Sequence, residues 1–319
     1  MFLENGFLPT NKFWKYLVGS LLIFVASTIG QIPWVIAVLI KSLKTGKKFP
    51  TTEGDMMTFL SLNTTLFLLL FSFVIAFISI ILVIKYFHKQ TFLSMTTSRA
   101  KVDWKRIFFS FSLWGILTAG STLMLFYSSP EDFVYNFKPI PFLILAIIGI
   151  ILIPIQTSTE EYVFRGYLMQ GFAVLAKNRW FPLVMTSVIF GSMHIANPEV
   201  EKMGYIILVY YIGTGFFLGI ITLMDEGMEL ALGFHAANNL VTALLVTSDW
   251  SAFQTNSIFK DVSLPSAGFE ILVPIFIIFP ILLFIFSKKY NWTNWKEKLT
   301  GKILIVEQIE QIGNDGSDE

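Results

Sequence analysis

Eight apolar runs, near residues 13–40, 58–86, 107–127, 140–163, 180–196, 204–224, 228–246 and 269–287, take up most of this chain. Most hold the roughly 20 residues an α-helix needs to cross about 30 Å of hydrocarbon. Inside lipid every backbone N–H and C=O must be satisfied internally, which leaves helices or closed barrels. The run at 180–196 is short and the one at 228–246 is polar, so those two count as spans through the residues they carry. The pattern predicts an all-α integral membrane protein, a bundle of about eight transmembrane helices. The first run opens after Lys12, like the basic start of a signal peptide, but it is too long for a cleavable segment. It reads as a retained span, kinked near Gly30 and Pro33. Trp14, Trp104, Trp180, Trp250 and Trp292 fall at run ends, where an interfacial aromatic belt belongs.

Composition supports this reading. Residues are 54% hydrophobic and only 14% charged, against about 25% charged in soluble domains. The net charge of +1 offers no argument for a nucleic-acid partner. The absence of cysteine excludes disulfides, a thiolate nucleophile and cysteine metal sites. Eight spans put both termini on one side, and most of the 23 Lys and Arg then share that side, which makes it cytoplasmic. This count places Arg165 in an inner loop, and Lys41, Lys44, Lys47 and Lys48 run against it. The expected organisation is a short N-terminus (1–12), three helices (13–139), a core of four helices (140–245), an outer loop with a last helix (246–290) and a polar tail (291–319), disordered from Gly313. No internal repeat is evident, which weakens a transporter built from duplicated halves.

Within the fourth run the sequence reads Gln156-Thr-Ser-Thr-Glu160-Glu161-Tyr-Val-Phe-Arg165-Gly166, with uncharged stretches before and after. Each charge placed in hydrocarbon costs about 2.5–3.5 kcal/mol on insertion scales. On a helix Glu161 and Arg165 are four apart and face each other. Glu160 points about 100° away and is left without a local partner. An unpaired carboxylate at such depth marks a functional site; the alternative is that the helix ends here and meets water. His194 is the one ionisable side chain between Trp180 and Asn197, and His235 and Asn239 share a face of the seventh run. Each reads alone as an interhelical hydrogen bond. Together, carboxylate, imidazole and amide within 80 residues form the set that activates a water and stabilises an oxyanion. Gly213, Gly215 and Gly219 read as close packing, and His88 reads as interfacial.

Glu160-Glu161-xxx-Arg165, Phe190-xxx-His194 and His235-xxx-Asn239 resemble the three motifs of the CAAX-protease and bacteriocin-processing family. These intramembrane endopeptidases include the type II CAAX prenyl endopeptidases and the lysostaphin-resistance-like proteins. The resemblance covers about residues 140–245. It implies hydrolysis of peptide bonds in membrane-associated proteins or peptides, within the lipid bilayer. By that resemblance Glu160 and His194 hold and deprotonate water, His235 and Asn239 stabilise the oxyanion, and Arg165 orients Glu161, which fixes the local geometry. Two chemistries stay open: a metal-free base, or Zn²⁺ with His194 and His235 as ligands, although no H-E-x-x-H occurs. Rival functions are a non-proteolytic scaffold or regulator, and an ion or proton transporter. Substrate and oligomeric state are not legible. One tension accompanies the family reading. Glu160 should lie near the inner boundary, yet His235 and His194 should lie deeper, unless Tyr162–Ala176 is itself embedded as a tilted or re-entrant helix.

Overall fold

The computed structural model describes residues 1–8, 11–265, 268 and 271–303, apart from the Glu53 side chain. The tail from 304 onward, including the stretch expected to be disordered, and the start of the eighth run at Phe269 and Glu270 lie outside the described residues. The longer helices are α1 (Phe13–Thr45), α2 (Leu62–Leu82), α3 (Trp104–Ser128), α4 (Pro139–Ala176), α5 (Trp180–Ser192), α6 (Ile207–Asp225), α7 (Glu229–Leu245) and α8 (Phe279–Tyr290, entered through a π turn at Pro274–Ile278). Among the described residues five helices are long and apolar enough to cross a membrane: α1, α2 with its extension to Phe87, α3, α4 and α6.

Their surfaces explain the solvent they need. Leu21, Phe24, Ile29, Leu117, Ile147 and Ile151 all point outward and exposed, which would be ruinous in water and is stabilising against lipid. The chain is an integral membrane protein of helical class. Inside, α2 packs between α1 and α4, and α7 packs against α3, α4 and α6, while α5 lies on α6. Aromatic layers fill the α3–α7–α8 space, with Trp114 on Phe234 at 4.5 Å and Phe217 stacked on Phe279 at 4.5 Å. A Cβ on Gly215 would come within 2.8 Å of the Ser187 carbonyl oxygen, so α5 and α6 touch there because the residue is glycine.

One expectation changes. The fourth run does not end near Val163: the helix continues through a π turn at Tyr162–Leu168 into Met169–Ala176, 38 residues in all. At 1.5 Å per residue that is about 57 Å. Glu160 therefore sits mid-helix rather than at a boundary, and the segment after it is a continuation, not a re-entrant piece. α1 is helical throughout, with Pro33 inside it. Gly30 serves contact, since a Cβ there would meet Ser72 Cα at 2.8 Å.

At one end of the bundle the N-terminal 3₁₀ turn Leu3–Gly6 and the short helix Trp295–Thr300 meet. Phe2 and Leu3 are fully buried, Phe2 N–H donates to Glu226 Oε2 (2.6 Å), and Arg179 pairs with Glu4 (2.8 Å). Nearby His88, just past the end of the second span, is fully buried, bonded to Asn11 Oδ1 (3.0 Å) and Tyr167 Oη (2.7 Å). Burial, with Lys15 nearby, holds its pKa down to about 4, so it is a neutral structural hub. The opposite end carries a three-stranded sheet absent from the sequence reading. β1 (Phe133–Tyr135) pairs antiparallel with β3 (Phe259–Asp261), which pairs in parallel with β2 (Val246–Ser248).

Candidate active site

The site forms where α4, α6 and α7 converge midway along the bundle. Glu160 and Glu161 end the α-helical part of α4, and Arg165 lies in the π turn that follows. Such turns often accompany functional sites, because one inserted residue re-aims the side chains around it. Arg165 Nη1 donates to Glu161 Oε1 at 3.0 Å with both side chains fully buried, and Nη2 donates to the Gly215 carbonyl at 3.3 Å. The guanidinium also lies 4.3 Å over the Phe190 ring, a cation–π contact in a water-poor setting. Arg165 thus belongs to the interior, not to an inner loop.

His235, on α7, reaches both carboxylates. Its Nδ1 lies 2.7 Å from Glu161 Oε1 and its Nε2 3.4 Å from Glu160 Oε2. Glu161, already paired to Arg165, is an acceptor, so Nδ1 carries the proton it donates. That fixes the imidazole and turns Nε2 toward Glu160. The two adjacent carboxylates therefore differ: Glu161 is fully buried, while the Glu160 side chain is 20% exposed. Of the two, Glu160 is the more open.

Glu160 does have a local partner, which the charge pattern missed because it is neutral. Gln156 Nε2–H, one helical turn back, donates to Glu160 Oε1 at 2.7 Å. Gln156 Oε1 in turn accepts from Asn239 Nδ2 at 3.0 Å. The i, i+4 spacing of Gln156 and Glu160 in an uncharged run was the available signal. Asn238, also polar on this span, donates to Asn239 Oδ1 at 3.0 Å.

His194 lies within electrostatic reach of Glu160, with no hydrogen bond between them among the described residues. It follows the last turn of α5, where its Nδ1–H donates to the Phe190 carbonyl at 2.8 Å. Helix ends leave such carbonyls without backbone partners, and the ring fills one. It stacks on Tyr211 at 4.1 Å, one turn outward from the ring that meets Arg165, with Nε2 as its remaining lone pair.

Among the described residues no three His, Cys, Asp or Glu are grouped to hold a metal. The alternative with His194 and His235 as ligands is not supported.

Residues 136–241 match the family described as Type II CAAX prenyl endopeptidase Rce1-like. A Bacillus subtilis (strain 168) protein, described as uncharacterized protein YyaK, is 29% identical over 248 residues, or 76% of this chain and 81% of that one. No solved structure matches. The matched segment runs from just before α4 into α7 and carries all three motifs. The part of the chain that builds the site is therefore similar to the Type II CAAX prenyl endopeptidase Rce1-like family.

Proposed function

We propose that this chain is an intramembrane endopeptidase in which Glu160 activates the attacking water. The observation that carries this reading is the divergence of two neighbouring carboxylates. Glu161 is buried and bound by Arg165 and His235, whereas Glu160 is partly open and stands 3.4 Å from His235 Nε2. Paired acidic groups whose surroundings push them into different roles are a usual mark of acid–base catalysis.

In this mechanism water attacks the peptide carbonyl as its proton passes to Glu160, and the same proton later goes to the departing amine. His235, held by Glu161, stays beside Glu160 through its Nε2. Asn239 gives one amide hydrogen to Gln156 and keeps a second, which is available to the tetrahedral oxyanion. His194 offers its free Nε2 from one turn outward. Arg165 and Glu161 are positioning residues. The substrate is a membrane-associated protein or peptide, and the end holding both the N-terminal turn and helix Trp295–Thr300 faces the cytoplasm. The four-helix segment 140–245 is the catalytic core, joined to its three preceding helices by packing rather than by a linker.

The test is Glu160→Gln in purified protein supplied with fluorogenic membrane peptides in vesicles. General base catalysis contributes about 10²–10⁴-fold, so cleavage should fall to background while thermal unfolding is unchanged. Wild-type turnover by Glu160→Gln would remove Glu160 as the base.

A further inference from the structure

The hydrogen bonds that reach Glu160 begin on a helix that carries none of the three motifs. Trp114, on α3, donates its indole N–H to Asn238 Oδ1 at 3.0 Å. Asn238 Nδ2 donates to Asn239 Oδ1 at 3.0 Å, Asn239 Nδ2 to Gln156 Oε1 at 3.0 Å, and Gln156 Nε2 to Glu160 Oε1 at 2.7 Å. An indole can only donate and a carboxylate can only accept. With those two groups at the ends, each of the three amides has one permitted orientation. An amide is normally free to swap its oxygen and nitrogen ends; here none can turn without breaking two bonds.

We infer that Gln156 is a positioning residue for the reaction, and that the chain Trp114–Asn238–Asn239–Gln156 sets the direction in which the site's amides point. This rests on the proteolytic reading of the site. Two consequences follow from direction alone. Glu160 is held by a donor through one oxygen, which leaves Oε2, beside His235, as the oxygen that works on water. Asn239 has its oxygen occupied by Asn238, so it turns N–H groups, not a carbonyl, toward the neighbourhood of Glu160. An oxyanion is stabilised by donors and repelled by a carbonyl oxygen. The remote indole therefore helps Glu160 to hold Asn239 in the orientation that favours the reaction. Trp114 is almost buried and stacked on Phe234, which makes the first link rigid.

The experiment uses the full chain in vesicles with fluorogenic membrane peptides. Trp114→Phe keeps the aromatic packing and deletes one neutral hydrogen bond, worth about 0.5–1.5 kcal/mol; kcat should fall about 2- to 10-fold with KM unchanged. Gln156→Leu deletes a bond to a charged group, worth about 1.5–3 kcal/mol, and kcat should fall about 10- to 100-fold, again without change in KM. The double variant should lose more than the product of the two singles, because each single leaves one end, the indole or the carboxylate, to fix the amides, and only the double frees Asn239 to turn. A KM effect alone, an unchanged kcat for Gln156→Leu, or kcat losses that no more than multiply would overturn the inference. If wild type cleaves no peptide, the proteolytic reading fails separately, and the relay is judged by thermal unfolding of the same variants. A Tm loss in the double variant smaller than the sum of the singles supports the relay, because an amide freed to turn offsets part of the loss, and additive losses refute it.

Discussion

The protein contains two buried charge clusters, and they are built to different rules. Near the terminal end, Asp225 and Glu229 meet Arg99 and Arg106. Asp225 Oδ2 accepts from Arg99 (2.9 Å) and its Oδ1 from Arg106 and from Trp292 Nε1 (3.2 Å). Glu229 Oε2 accepts from Arg99 (3.0 Å) and its Oε1 from the Asp103 backbone (3.2 Å). Two arginines answer two carboxylates, and every carboxylate oxygen has a partner. Midway along the bundle, one arginine answers two carboxylates. Glu161 Oε2 and Arg165 Nε are buried with no hydrogen bond among the described residues. A saturated cluster pins α3, α6 and α7 together and does nothing else. The unsaturated one keeps cost in place, as sites that do chemistry tend to.

Removing arginines separates the two most strongly. Arg165→Ala leaves Glu161 buried with only His235, and breaking a buried pair from one side costs about 3–5 kcal/mol. A large fall in detergent Tm and in folded yield is expected. A well-folded Arg165→Ala would mean that water reaches the pair. At the site itself, Asn239→Ala removes an oxyanion donor, an effect of about 10²–10³ in rate, with Tm affected far less than by Arg165→Ala. Single-turnover kinetics check this, and an unchanged rate would take the oxyanion away from Asn239. In the saturated cluster, Arg99→Ala leaves Asp225 with Arg106 and Trp292 but Glu229 with only the Asp103 N–H, so about 1–3 kcal/mol is expected, as for a buried acceptor left unpaired. The surviving folded protein should cleave at the wild-type rate; lost activity without lost stability would join the two clusters functionally.

The smallest effect concerns Glu199, on the connection between α5 and α6. It accepts from the Ala252 backbone at 2.7 Å, and its other oxygen is buried and unpartnered. Burial pushes its pKa up. A carboxyl raised on folding favours the folded state fully below the unfolded value, about 4.3 for Glu, and loses that contribution as pH rises through the folded value. Glu199→Gln keeps an acceptor for Ala252 without the charge. Its Tm advantage over wild type should be near zero in acid and grow toward neutral pH; a pH-independent difference would show that the carboxyl is solvated.

Much of this was open to reading from the chain. Runs of about 20 apolar residues have few solutions in lipid, so the helical membrane class followed from length and hydrophobicity. The Glu161–Arg165 pair followed from helical spacing, since residues four apart on one helix meet whatever the tertiary fold. The three motifs also pointed to the family whose description matches the segment that builds the site. Packing between helices decided the rest, because contacts between distant segments leave no periodic trace. Nothing local shows that α4 runs on past Glu160, since continuation depends on the N-terminal turn and α1 covering its inner half. The sheet joins residues 133–135 to 259–261 across more than a hundred positions. His235 could be read as a site residue, but its two carboxylate partners come from another helix. Nothing in the sequence around Trp114 marks it. Only its placement beside Asn238 makes it the donor that orients the amides leading to Glu160.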